Sequence, residues 1–384
     1  MNRLCFTDGQ KEKMLSAAHR IADWYIRNQF PFRGDNPDAG SFYSAVRRGK
    51  MENPCAPGWC VAFASMGMLS AARAFQDEKY LDAAGAMLNH LKTLQIFDPF
   101  NREHYGAFRE TFAWTRWCYV RDALSIAWSF LEYYRFSGVQ EYLDRAVLWA
   151  EWFMRHGMDE SGWPKWGVQF DSFLPGMEPP QMCNDIHGCF HGGSLNFFYQ
   201  LAKETGDRRW TGSFFEYIAN YFCSTIQQEN GFFCSVEKAS GKVPPQDPQN
   251  KLHRGNDDLG TLGLLCAYHV DRRTSRLDSI RKFLTAVFAN QQPDGGFENS
   301  CAAIPVILNI LHESGAVMDF PVEQSNVDRA LEALLARQFS DESESACYGG
   351  LNERGDGNLH VRSMGYSLLV FLKFCGKDNR FLTV

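Results

Sequence analysis

Six copies of one short signature recur along this chain, and that periodicity constrains its fold more than any other feature. A glycine followed closely by an aromatic or bulky apolar residue stands at Gly40-Ser41-Phe42, Gly106-Ala107-Phe108, Gly162-Trp163, Gly231-Phe232-Phe233, Gly296-Phe297 and Gly350-Leu351, 54 to 69 residues apart. A repeat of that length is one supersecondary unit, which buries its apolar face only by stacking on its neighbours. A second signature falls between copies, at Gln76-Asp77-Glu78-Lys79-Tyr80-Leu81, Ser137-Gly138-Val139-Gln140-Glu141-Tyr142-Leu143 and Thr205-Gly206-Asp207-Arg208-Arg209-Trp210. Each reads as a tight turn joining two helices. Six units of two helices imply an all-α toroid of six hairpins, an (α/α)6 barrel, built as a single domain over residues 1–384.

The segments between the signatures sort into two kinds of helix. Leu81, Ala84, Leu88 and Leu91, and likewise Leu143, Ala146, Ala150 and Phe153, follow helical spacing with charges on the remaining face. That is an outer helix with one buried stripe. Val61 to Ala74, Ala123 to Tyr134, Leu259 to Val270 and Ser363 to Phe374 are apolar nearly all round, as in an inner helix covered on two sides. Outer helices are predicted near 9–29, 78–95, 139–157, 208–227, 275–292 and 324–338, and inner ones near 60–76, 116–137, 188–206, 257–272, 302–315 and 361–376. Pro305 falls in the first turn of the fifth inner helix, where its missing N–H costs nothing. Gly67, Gly193, Gly263 and Gly365 on the inner helices allow close backbone approach.

The links are lopsided. Outer-to-inner connections are mostly long and carry the glycine signatures, whereas inner-to-outer connections are short. Long loops on a rigid scaffold carry function, so the mouth where the inner helices begin is the expected site. Inner-helix N-termini also present free N–H groups there.

Composition narrows the chemistry. A net charge of -6 and no basic face argue against a nucleic-acid partner. No stretch reaches the roughly 18 apolar residues of a membrane span, and Met1 to Gln10 lacks a signal-peptide pattern. Twelve cysteines are scattered, with Cys118, Cys266 and Cys375 inside apolar runs, which suits reduced thiols and a cytoplasmic location. No cofactor is expected. Aromatic residues reach 14%, many in loops, which brings sugar stacking into view.

Carboxyl groups at the inner-helix starts are Asp122, Asp185, Asp257 and Asp258, with Glu110, Asp171, Glu298 and Glu353 on adjoining loops. Glycosidic cleavage uses two carboxyl groups in different environments, although an aspartate at a helix start also serves simply as a cap. In Arg254-Gly255-Asn256-Asp257-Asp258 one acid caps while its neighbour projects inward. The run Cys183-Asn184-Asp185-Ile186-His187-Gly188-Cys189-Phe190-His191 gathers polar groups before an apolar helix. Zinc is an alternative there, completed by Cys60, Cys118 or Cys301, but paired CxxC spacing is missing and no metal is assigned. Trp163 and Trp166 are the best stacking candidates, with Tyr105 and Trp114 beside them; Tyr43, Phe170 and Phe233 are further loop aromatics. Arg116, Arg121, Arg254, Arg354 and Arg362, with His360, gather at the same mouth; their forks suit a carboxylate-bearing sugar or salt bridges to the same acids. His187, His191, Arg121, Arg254, His360 and Arg362 complete the substrate-binding set.

The pattern resembles the six-hairpin glycosidase superfamily along the whole chain. More locally, Asn184-Asp185-Ile186-His187-Gly188, followed by a helix ending in Lys203-Glu204-Thr205-Gly206-Asp207, is similar to the unsaturated glucuronyl hydrolases. That resemblance implies Asp185 as principal acid/base and Asp257 or Asp258 as its partner, acting on an oligosaccharide that can contain uronic acid. Here extra residues interrupt the family's Asp-Ile-Gly-like motif, and the pair falls one hairpin late. A sugar epimerase or polysaccharide lyase using His187, His191 or His360 with Tyr105 stays open, as do a zinc toroid of the lanthionine-cyclase or prenyltransferase kind and a toroid that only binds a partner.

Overall fold

The computed structural model describes residues 4–32, 36–47, 49–52, 55–160, 162, 164–165, 167–170, 185–186, 188–233, 236–237, 260–297, 300–380 and 383–384, with backbone alone at 52, 185–186, 188–192 and 236–237. Among these residues twelve α-helices alternate between two concentric layers. The outer helices are α1 (Asp8–Asn28), α3 (Glu78–Thr93), α5 (Gln140–Trp152), α7 (Ser213–Tyr221), α9 (Thr274–Ala289) and α11 (Gln324–Leu335). The inner ones are α2 (Gly58–Phe75), α4 (Val120–Ser137), α6 (Gly188–Thr205), α8 (Gly260–Asp271), α10 (Ala303–Ser314) and α12 (Arg362–Phe374). Each inner helix packs on the next, and α12 returns to α2, so the ring closes as an (α/α)6 barrel.

Burial follows the patterning. In α2 every residue from Gly58 to Ala71 is buried, whereas α1 buries the stripe Met14, Ala17, Ala18, Ile21, Ala22, Trp24 and Tyr25. The closing seam depends on glycine: a Cβ on Gly365 would lie 3.0 Å from the Phe63 carbonyl carbon, and one on Gly67 would lie 2.9 Å from the Leu368 side chain.

The glycine signatures tie each outer helix to the next. Gly40, Gly106, Gly231, Gly295 and Gly349 have positive φ, and a Cβ on each would come 2.1 to 2.9 Å from a carbonyl oxygen of the following outer helix. In the fifth and sixth repeats this role falls to Gly295 and Gly349, one residue before the glycines picked out by the sequence. Two residues after each turn glycine, Phe42, Phe108, Phe233, Phe297 and Leu351 are buried as anchors. A glutamine absent from the sequence reading completes each joint. The side-chain amides of Gln29, Gln95, Gln227, Gln291 and Gln338 each donate to the carbonyl of the turn glycine and to one carbonyl of the adjacent outer helix, at 2.9 to 3.2 Å.

The long loops contain strands that the sequence reading left out. β1 (Ala45–Arg47), β2 (Lys50–Glu52) and β7 (Leu359–His360) form one antiparallel sheet in the order β2-β1-β7. β3 (Trp117–Tyr119) pairs with β4 (Gly167–Gln169), and β5 (Asp185–Ile186) with β6 (Val236–Glu237). The second inner helix was expected from residue 116 but begins at Val120, because 117–119 extend into β3. No described helix is long and apolar enough to cross a membrane.

Candidate active site

Four residues after the turn glycine, three of the loops fold back onto the start of the preceding inner helix. The carbonyl of Ser44 accepts from Val361 N–H at 3.1 Å, that of Glu110 from Gly58 N–H at 2.9 Å, and that of Glu353 from Cys301 N–H at 2.8 Å. Glu110 and Glu353 are thus equivalent positions of two repeats, and the bond made by the backbone fixes where each carboxyl group goes.

Glu110 is buried, and its Oε2 accepts the Tyr119 N–H at 2.8 Å. Tyr119 is the N-cap of α4 and supplies no side-chain cap. Asp122, in the first turn of the same helix, is hydrogen-bonded to the Glu110 carboxyl group. Two carboxyl groups make that bond only when one keeps a proton. Burial, then the charge and hydrogen bond of Asp122, push Glu110 well above the usual carboxylate range, while the Tyr119 amide and Arg121 pull the other way. The pair therefore shares one proton. Arg121 Nη1 lies 3.2 Å from Asp122, and its guanidinium stacks over the Trp59 ring at 4.7 Å.

The loop and strand that carry this pair also carry aromatic rings. Trp117 and Tyr119 share one face of β3 and meet edge to face at 4.8 Å, and both are partly exposed. Phe112 and Trp114 stack at 4.8 Å, within 6° of parallel.

The second repeat-equivalent carboxyl group sits differently. Glu353 is buried and ion-paired to Arg362, while its Oε1 also accepts from Ser300 Oγ at 3.0 Å. His360 pairs with Ala45 through β7.

Of the residues read from sequence, Asp122 and Arg121 come together at the start of α4, Trp114 stands on the loop that carries Glu110, and His360 and Arg362 belong to the neighbouring loop pair. Tyr105 is placed elsewhere, edge-on to Phe97, whose ring also carries Arg145 of outer helix α5. Asp185 pairs with Glu237 through backbone just before α6, and His191 lies in the first turn of α6; their side chains are outside the described residues. Trp163, Trp166, His187, Arg254, Asp257 and Asp258 lie outside them entirely. So do Cys183 and the Cys189 side chain, and with them the core of the zinc reading. Burial, then the charges of Glu110 and Asp122, push the Cys118 thiol well up and disfavour the thiolate a metal needs. Phe170 and Phe233 are core residues, whereas Tyr43 packs edge-on to Phe30. The sequence reading did not single out Trp59 or Tyr119; their only signal is position, at the starts of the first two inner helices.

The sequence matches no protein-family model and no curated protein. Solved structures do match the fold. The α-1,6-mannanase GH76A of Salegentibacter sp. HEL1_6 is 14% identical over 95% of this chain and 100% of its own, with a TM-score of 0.64. The cellobiose 2-epimerase of Spirochaeta thermophila DSM 6192 is 15% identical over 96% of this chain and 98% of its own, with a TM-score of 0.68. An α-amylase from Clostridium perfringens is 13% identical over 94% of this chain and 97% of its own, at 0.62. This chain has the six-hairpin (α/α)6 toroid fold that these carbohydrate-active proteins share.

Proposed function

We propose that the chain is a glycoside hydrolase that cleaves an oligosaccharide at the mouth where the inner helices begin. The observation that carries this reading is the Glu110–Asp122 pair, two carboxyl groups sharing a proton beside exposed rings. A general acid must hold its proton near neutral pH, and a buried carboxyl pair is a standard way to keep one. In this reading Asp122 meets the substrate and Glu110 backs it. Asp185, in front of the next inner helix, is the opposing acid/base, with Asp257 and Asp258 as further candidates. Inactive variants of the Salegentibacter mannanase replace two consecutive aspartates, and one is complexed with α-1,6-mannotriose. Asp257-Asp258 is the one consecutive aspartate pair in this chain.

Arg121 is engaged by Asp122 and Arg362 by Glu353, so these two arginines serve the acids of the mouth first, and a neutral sugar needs no further cation there. The cellobiose epimerases among the structural neighbours favour a second reading, epimerisation at the same mouth.

Incubation with α-1,6-mannotriose, cellotriose and maltotriose separates the two, because hydrolysis shortens the chain and epimerisation leaves its mass unchanged. Asp122→Asn and Asp185→Asn are each expected to lower turnover about 10²- to 10⁴-fold without unfolding the protein. Full activity in both variants sinks the assignment.

A further inference from the structure

The loop that carries Glu110 also carries an aromatic pair at its tip. Its base is closed by Glu110 N–H donating to the Trp117 carbonyl at 3.1 Å and by Tyr119 N–H donating to Glu110 Oε2 at 2.8 Å. Its tip is a tight turn in which Thr115 N–H donates to the Phe112 carbonyl at 2.9 Å and Phe112 N–H donates to Thr115 Oγ1 at 3.0 Å. Arg109 Nη1 holds the Thr115 carbonyl from below at 2.5 Å. On this braced turn one face of the Trp114 indole is covered by Phe112, yet Trp114 remains 57% exposed. An indole backed by a second ring and more than half exposed has a fixed, flat apolar surface on which no ring of the described residues lies.

We infer that the Phe112–Trp114 stack is an outer sugar-binding platform, on which one pyranose ring of an oligosaccharide lies while another unit of the same chain sits at Asp122. A pyranose offers an apolar C–H face that matches an indole, and the ring positions the chain without reading its hydroxyl groups. Trp114 is four residues from Glu110, a chain reach of at most about 14 Å, so platform and carboxyl pair address one extended ligand. The substrate class that follows is an oligosaccharide of several units rather than a disaccharide. Among the described residues the other strongly exposed rings do not share this construction. Phe100, at 96% exposure, has no ring stacked behind it among the described residues. The inference rests on the oligosaccharide reading above.

The test is calorimetric titration of the full chain with the disaccharides and tetrasaccharides of the α-1,6-manno, cello and malto series, beside a turnover assay. Trp114→Ala should weaken tetrasaccharide binding about ten-fold and leave disaccharide binding unchanged, while Trp114→Phe keeps most of the affinity. Phe100→Ala should change nothing. Equal tetrasaccharide affinity in wild type and Trp114→Ala overturns the platform, even where turnover upholds the hydrolase. Binding by wild type to none of the three tetrasaccharides overturns it too. Length-dependent binding that needs Trp114, without any turnover, keeps the platform and sinks the hydrolase.

Discussion

At Glu110 the sequence offers one more loop acid, and the fold turns it into a proton store. Its raised proton affinity has a consequence for stability with a definite sign. The folded protein keeps the Glu110 proton at pH values where the unfolded chain, with an ordinary glutamate near 4.5, has released it. This contribution is fully present below about pH 4.5 and is lost as pH rises toward the folded value. Glu110→Gln keeps a neutral donor for Asp122 and an acceptor for the Tyr119 amide but cannot ionise. Thermal melts between pH 4 and 8 should therefore show wild type losing roughly 1 kcal/mol per pH unit relative to the variant, until the folded value is reached. Parallel curves for the two proteins would mean that Glu110 is already ionised. The same residue shows why the site was only partly legible. Asp122 could be chosen because helix starts follow from periodicity, but its partner lies across a loop whose fold-back depends on a hydrogen bond to the neighbouring hairpin.

At the scale of elements, the recurring glycine works as a joint. Gly40 combines φ of +91° with a hypothetical Cβ only 2.1 Å from the Ala86 carbonyl oxygen, so alanine there must both strain the backbone and push α3 away. Gly138 ends α4 with φ of +71° and nothing within 4 Å, so alanine there meets only the backbone preference. Gly40→Ala should cost about 2–4 kcal/mol and Gly138→Ala about 1 kcal/mol, measured by chemical denaturation. Similar losses at the two positions would show that packing on the next outer helix does not set the constraint. The sequence revealed the glycine and its following aromatic residue because both recur. It hid the glutamine, whose two acceptors lie 4 to 11 residues and 35 to 321 residues away.

At the scale of the whole molecule, closure gathers six inner-helix C-termini at the end opposite the mouth. Their last turns carry Arg73, Arg135, Lys203 and Lys373, which oppose the converging negative ends of the helix dipoles, while His269 and His312 hold the corresponding places in α8 and α10. Lys373 is buried and bonded to Asn309 at 2.7 Å and Glu313 at 2.8 Å. The weak point of a closed ring is its last seam, where α12 meets α2. Gly365→Val should lower stability by about 2–4 kcal/mol, because the added carbons meet Phe63 backbone rather than a side chain that can turn aside. Valine is no worse a helix former than glycine, so calorimetry that finds a loss below about 1 kcal/mol would show that the seam can open to accept it.

The sequence alone determined the number of hairpins, the order of inner and outer helices, and the end of the barrel at which the long loops emerge. Those properties are written in periodicity, which each short segment expresses by itself. Only the tertiary structure decided that Glu110 meets Asp122, that Arg121 and Arg362 are engaged by carboxylates, and that Tyr105 packs on Phe97 beside Arg145 of the outer layer. Each depends on how one long loop folds back onto the helix start beside it, and hydrophobic periodicity carries no information about that path.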